Sequence, residues 1–255
     1  TDYPIIDWTT YPAKNKNIKY PMAGGKSHYV TLHIFDLKTG TSYKIDTQGP
    51  KEQYLTNISW SPDETKIYIC VLNREQNHFW LNEYDVVNAS FTKTLFEESD
   101  EKYVEPQNPM LAVRNVPGKF IWQSRRDGFN HLYLYTYRGS VVKKLTKGNW
   151  EVKSVLGFDT KGENVFFLAN EQSPVNQDVY SVNLTTFEMK RITDGNGYHN
   201  AILSKNGDFI IDNFTSCYIP REYRIISTST KKSFLFYTSE NPIKDYNGDV
   251  VSAGV

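Results

Sequence analysis

Short runs of apolar and basic residues, each closed by a polar turn, recur along the whole chain at a regular spacing. The segments Tyr43-Lys44-Ile45, Lys93-Thr94-Leu95, Lys143-Lys144-Leu145-Thr146, Lys190-Arg191-Ile192-Thr193 and Phe234-Leu235-Phe236 place anchors at Ile45, Leu95, Leu145, Ile192 and Leu235. The steps are roughly 50, 50, 47 and 43 residues, close to the length of one propeller blade. A second strand set keeps the same phase ahead of these anchors: Leu32–Phe35, Leu81–Tyr84, His131–Tyr135, Asp178–Val182 and Tyr223–Ile226. Turns such as Asp36-Leu37-Lys38-Thr39-Gly40 and Tyr137-Arg138-Gly139-Ser140 join the two sets, with glycine or small polar residues permitting a tight hairpin.

Earlier in each repeat stands a more apolar strand with little alternation: Ile67–Leu72, Lys119–Trp122 and Val165–Ala169. Such a strand is one covered on both faces. It follows a turn of the type Ser61-Pro62-Asp63-Glu64, Asp159-Thr160-Lys161-Gly162 or Ser204-Lys205-Asn206-Gly207. The pattern therefore predicts an all-β fold, a β-propeller of four-stranded antiparallel blades. No stretch holds an i, i+3, i+4, i+7 pattern for three turns with caps, which argues against helices. A β-sandwich also has short strands and frequent turns, but it does not require a module repeated four or five times.

Residues 1–26, rich in tyrosine, proline and lysine, read as an irregular opening segment belonging to a partial blade, and residues 27–255 as one continuous domain of blades. The count is about four and a half to five blades of a larger propeller. An arc of this kind exposes apolar blade faces and strand edges at its two ends, so either further sequence or another partner is expected to cover them.

Composition narrows the partners. The 29 basic and 29 acidic residues cancel, so no overall field would draw the chain to nucleic acid. No run approaches about 18 apolar residues, and no membrane span is expected. The 18 tyrosines and 14 phenylalanines suit pleated, half-buried surfaces. Cys70 and Cys217 give neither metal-ligand spacing nor a disulfide framework; both read as buried small apolar residues, and no metal or cofactor is expected. Thr1 opens into polar sequence without a charged-then-apolar leader, so an export signal is expected to have been removed or to lie outside this piece.

Candidate chemistry is sparse. No GxSxG occurs, so no nucleophile elbow is present, and the alternating βα pattern of a hydrolase sheet is missing. The histidines at positions 28, 33, 78, 131 and 199 are scattered and form no motif with serine and aspartate. Gly24-Gly25-Lys26-Ser27 lacks the first glycine and the strand-to-helix setting of a phosphate loop. Arg125-Arg126-Asp127-Gly128 reads as a hairpin turn with solvated charges, although paired arginines can bind a carboxylate. Glu97-Glu98 follows the strand segment Thr94-Leu95-Phe96 and reads as a solvated turn. No catalytic residue is assigned.

Several segments resemble the propeller of the dipeptidyl peptidase IV family, in the prolyl oligopeptidase superfamily of serine peptidases. Tyr20-Pro21-Met22-Ala23-Gly24 resembles the family's Tyr-Pro-x-Ala-Gly, and Tyr3-Pro4-Ile5-Ile6-Asp7-Trp8 the segment upstream of it. Trp60-Ser61-Pro62-Asp63 is a blade turn common in such propellers, and Thr146-Lys147-Gly148-Asn149-Trp150-Glu151-Val152 is the most specific match. The resemblance implies an eight-bladed propeller capping an α/β-hydrolase domain not present in this chain. The parent would be an exopeptidase that removes N-terminal dipeptides with proline or alanine at the second position.

It further implies short peptides of that kind as partners through the parent, a homodimeric parent, and a periplasmic or extracellular location. The family's glutamate pair that holds the substrate amine lies upstream of the segment beginning here, so that anchor is expected outside this chain. In Tyr103-Val104-Glu105-Pro106-Gln107-Asn108-Pro109 a proline-containing loop stands where the family's loop reaches toward extended substrate. Val104 and Glu105 replace the aromatic and arginine usual before the first proline, and Tyr103 and Glu105 are the expected peptide contacts. The fragment is accordingly expected to gate or position peptide and to be inactive alone. The alternative from another class is a stand-alone propeller module that binds a protein or glycan.

Overall fold

A computed structural model describes residues 2–242, and all its regular elements are strands. Four four-stranded antiparallel sheets follow one another, each with its strands in sequence order. The second blade contains β5 (Gln53–Trp60), β6 (Lys66–Asn73), β7 (His78–Asp85) and β8 (Ser90–Ser99). The third contains β9 (Leu111–Ala112), β10 (Lys119–Ser124), β11 (His131–Thr136) and β12 (Val141–Lys144). The fourth is β13 (Val152–Phe158), β14 (Asn164–Ala169), β15 (Asp178–Asn183) and β16 (Met189–Arg191), and the fifth β17 (Tyr198–Leu203), β18 (Phe209–Thr215), β19 (Glu222–Ser227) and β20 (Ser233–Thr238). Ahead of them the hairpin β3 (His33–Asp36) and β4 (Thr41–Lys44) forms the outer half of the first blade. The chain is thus a β-propeller arc, as its periodicity predicts.

The apolar second strands lack polar alternation because period two divides them between two junctions. Ile67, Ile69 and Val71 of β6 pack with Ile45 and Tyr84 toward the first blade. Tyr68, Cys70 and Leu72 pack with Phe120, Trp122 and Tyr135 of the third. The repeated anchors close these junctions. Ile45, Leu95, Leu145 and Ile192 are buried, and the backbone amides of Ile45, Leu145 and Ile192 donate to the carbonyls of Leu32, Leu132 and Val179. Leu235, the fifth anchor, is exposed because no strand among the described residues lies over it.

Two expectations are corrected. Residues 1–26 are not irregular throughout: β1 (Asp2–Asp7) pairs with β2 (Lys14–Lys19) in register from Asp2 opposite Lys19 to Asp7 opposite Lys14. Nearly every side chain of this hairpin is exposed on both faces, so no alternation betrays the strands. Cys217 is exposed, in the loop after β18 where Ser216 hydrogen bonds the amides of Tyr218 and Ile219 and holds the chain out in a turn. Cys70 is buried as expected, its thiol pushed up by desolvation, and both cysteines are free.

Candidate functional site

Antiparallel strands reverse direction at every step, so the turns between second and third strands share one rim of the arc with the connections between blades. The loop after β8 and the turn after β10 therefore meet across the second and third blades. Between them lies a cavity of about 250 Å³, bordered by Glu98–Asp100, Lys102–Pro106 and Trp122–Arg126. Tyr103 and Glu105, the residues expected to touch peptide, both stand exposed on its border.

The loop that carries them is fixed at several points. Val104 donates its amide to the Gln76 carbonyl at 2.8 Å, Asp100 to that of Asn77 at 3.0 Å. Asn57 Nδ2 donates to the Pro106 carbonyl at 2.7 Å, and the Lys102 amide to Asp100 Oδ1 at 2.8 Å. On its other side Val104–Gln107 borders a second hollow of about 580 Å³ walled by Val30–Leu32, Tyr54–Thr56 and Leu72. Glu105 and Pro106 thus form a ridge between two hollows.

The floor of the first cavity is a charged pair that sequence reasoning missed. Glu97-Glu98 is not a solvated turn: β8 continues through both residues to Ser99. Glu97 faces out and pairs with His78 at 2.9 Å. The Glu98 carboxylate turns in, its side chain 12% exposed, and accepts from Trp122 Nε1 at 3.0 Å, Ser124 Oγ at 2.6 Å and the Arg126 guanidinium. Arg126 lies over the Tyr133 ring, 4.5 Å from its centroid, and also contacts the faces of Tyr135 and Phe96. A signal for Glu98 exists in the sequence: counting by two from Phe96 places it on the core face of the strand.

The turn at Arg125–Gly128 is present, closed by the Gly128 amide on the Arg125 carbonyl, but its charges are not simply solvated. Arg125 pairs with Glu151 at 2.6 Å, and Asp127 with Lys144 at 2.6 Å and with the Tyr133 hydroxyl. Those bonds hold the Asp127 carboxyl below its ordinary range, Lys144 first and Tyr133 next. The Glu151 carboxyl is likewise lowered, chiefly by its hydrogen bond to Lys153.

The cavity offers aromatic walls at Phe79 and Trp122, a neutralised ion pair at its floor and fixed backbone at its edge. Aromatic faces, a charged floor and a fixed backbone edge are groups that can stack on and hydrogen bond a bound ligand. The cavity assembles no nucleophile with a base. Elsewhere, His33 meets Ser42 at 3.3 Å, but its other nitrogen faces Thr31 rather than a carboxylate. His199 is buried beside Asp212 and Asp178. Among the described residues no cluster of histidine, cysteine and carboxylates is arranged to hold a metal ion.

Comparison with known proteins gives a consistent picture. The profile of the family described as "Dipeptidyl peptidase IV (DPP IV) N-terminal region" matches residues 1–221. A solved protein of Bacteroides ovatus, assigned as a candidate dipeptidyl aminopeptidase IV, is 35% identical and superposes with a TM-score of 0.84 over 96% of this chain and 38% of its own. Dipeptidyl aminopeptidase A of Saccharomyces cerevisiae is 29% identical over 66% of this chain and 19% of its own length. Inactive dipeptidyl peptidase 10 of Mus musculus is 27% identical over 70% of this chain and 24% of its own length. The chain spans just over a quarter of the length of the curated relatives that match 93% of it.

Proposed function

Because this chain belongs to the dipeptidyl peptidase IV N-terminal region family, we propose that it is propeller sequence of a serine exopeptidase that removes N-terminal dipeptides ending in proline or alanine. In this reading the arc admits and positions peptide, while an α/β-hydrolase domain elsewhere in the parent supplies serine, histidine and aspartate. The observation that carries it is the fixed loop Lys102–Gln107, with Tyr103 and Glu105 at the edge of the cavity floored by Glu98 and Arg126. Tyr103 offers an aromatic face to a substrate side chain, and Glu105 a carboxylate to substrate amide or ammonium groups. The 255 residues contain no nucleophile elbow, so the chain alone is expected to be inactive.

The test is hydrolysis of a glycyl-prolyl chromogenic substrate by this chain and by the full-length parent. Turnover by the parent only is expected. Turnover by this chain would overturn the reading. In the parent, Tyr103→Ala and Glu105→Ala should raise KM for a longer peptide about tenfold, about 1.4 kcal/mol, with kcat little changed. A KM equal to that of the unaltered parent would remove these residues from the peptide path.

The parent is also read as an exported homodimer, periplasmic or extracellular. The exposed β1–β2 hairpin, with Trp8 and Tyr11 at its tip, supports self-association, and sedimentation of the parent carrying Trp8→Ala and Tyr11→Ala checks it. A second reading, recognition without cleavage by a propeller that binds a protein or glycan, is favoured by the relative named as inactive. Absence of turnover in the parent together with retained peptide binding would select it.

A further inference from the structure

On the rim opposite the candidate site, the junction between the second and third blades opens into a crevice of about 540 Å³. Its inner wall departs from the repeat. Lys66, Lys119 and Asn164 stand opposite Asp85, Thr136 and Asn183 in their ladders, which makes these pairs equivalent from blade to blade. Counting from them, Tyr68, Glu83 and Tyr137 of this junction correspond to Ile121, Leu134 and Leu184 of the next. Ile121, Leu134 and Leu184 are buried together in one apolar cluster. The second junction therefore has a carboxylate and two phenols where its neighbour has three aliphatic side chains.

The Tyr68 phenol hydrogen bonds Glu83, but this polar set is otherwise poorly supplied with partners. The Glu83 side chain is 9% exposed, and the nearest cation, Lys93 Nζ, stands 3.7 Å away, beyond a charge-assisted hydrogen bond. Lys93 instead donates to the Tyr137 carbonyl at 2.9 Å. Lys66, also on the lining, is committed to Asp85 at 2.9 Å. The Tyr137 hydroxyl is buried with no hydrogen-bond partner, a state that calls for an explanation in a folded protein. Desolvation raises the phenols of Tyr68 and Tyr137, the latter to about 12, so both remain neutral donors. Their rings lie 5.5 Å apart, beside an apolar wall of Val113, Val116 and Pro117. At the mouth, Asp63 is kept ionised by hydrogen bonds from Ser61 and Thr65.

A buried carboxylate flanked by aromatic faces and an apolar wall is suited to a compact cation on an apolar stem: the charge meets the carboxylate and the rings, the stem meets valine and proline. We propose that this crevice binds a primary alkylammonium group, carried either by a free amine or by the lysine side chain of a polypeptide. Glu83 takes the charge, and the Tyr137 hydroxyl accepts one ammonium hydrogen.

The experiment is calorimetric titration of the full chain with butylammonium, with Nα-acetyl-lysine amide, and with butanol and butyrate as neutral and anionic controls. Saturable binding of at least one of the two amines is expected, with both controls at least tenfold weaker. Tighter binding of butylammonium assigns the site to free amines, and tighter binding of the lysine amide assigns it to polypeptide side chains. Glu83→Gln should weaken binding at least tenfold, Tyr137→Phe severalfold, and Glu188→Gln, an exposed carboxylate of the fourth blade, not at all. Glu83→Leu, the residue type at Leu134, should abolish binding while raising the melting temperature, which separates loss of the site from loss of the fold. No saturable binding, equal binding of butanol, or unchanged affinity in folded Glu83→Gln would overturn the proposal.

Discussion

The fourth and fifth blades share strand order and antiparallel pairing, yet they differ in what covers them. In the fourth, Val165, Phe167 and Tyr180 pack on the third blade while Phe166, Leu168 and Val179 pack on the fifth, all of them buried. In the fifth, Ala201, Ile210 and Ile226 pack back on the fourth, but Ile202, Phe209, Ile211 and Ile225 of the opposite face are exposed. Both faces are apolar in both blades. The difference teaches that a blade is hydrophobic by sequence and buried by its neighbour, so the unit of stability is the junction rather than the sheet.

The largest test of that contrast is a pair of truncations. Phe167→Ala empties a wholly buried site and should cost about 3–5 kcal/mol, whereas Phe209→Ala, half exposed, should stay within about 0.5 kcal/mol. Urea titrations of the two variants decide it, and similar losses would mean that the fifth blade's free face is covered in solution. A smaller effect compares equivalent turn glycines. Gly139 and Gly40 both have positive φ, but a Cβ on Gly139 would come within 1.7 Å of the Leu95 carbonyl oxygen, while one on Gly40 meets nothing within 4 Å. Gly139→Ala should therefore cost about 1–3 kcal/mol more than Gly40→Ala, read as the difference in their urea midpoints.

The smallest effect is on pH. His131, in the covered third blade, is held between Thr146 Oγ1 and the Gly148 carbonyl, each at 3.0 Å, and desolvation lowers it below 6.5. Between that folded value and the unfolded one the unfolded chain binds more protons. The contribution of His131 is thus intact above about pH 6.5 and lost as pH falls toward the folded value, by at most about 1.4 kcal/mol per unit. His131→Gln should flatten that acid limb of the melting temperature. A slope unchanged by the substitution would place the acid sensitivity elsewhere.

What was legible in the sequence follows the same division. Junction-forming positions recur, so Ile45, Leu95, Leu145 and Ile192 share one spacing that also places the strands between them. Among the described residues the β1–β2 hairpin pairs with no other strand, which leaves Lys14–Lys19 without a pattern. Glu98 misleads in the sequence because its charge suggests solvent, while the groups that satisfy it, Trp122, Ser124 and Arg126, lie 24, 26 and 28 residues away on the next blade. Tyr103 and Glu105 could be placed on a loop from Pro106 and Pro109 alone, but the cavity beneath them is built by a neighbour that no local pattern describes.

One backbone clip has a mechanical consequence. Beyond its own ladders, the fourth blade is tied to the fifth through Gln177, whose amide donates to Gly197, whose carbonyl accepts from His199, and whose side-chain amide donates back to the His199 carbonyl. Tension applied from the C-terminal side loads β20 first, and the outer strands of the fifth blade peel one rung at a time at low force. The pull then reaches β17, where the parallel bonds at Gln177 are loaded together in shear. Force–extension traces should show a distinct rupture at that point, which Gln177→Ala lowers, making this residue the ratchet that sets how far the arc can be stripped before the next blade yields.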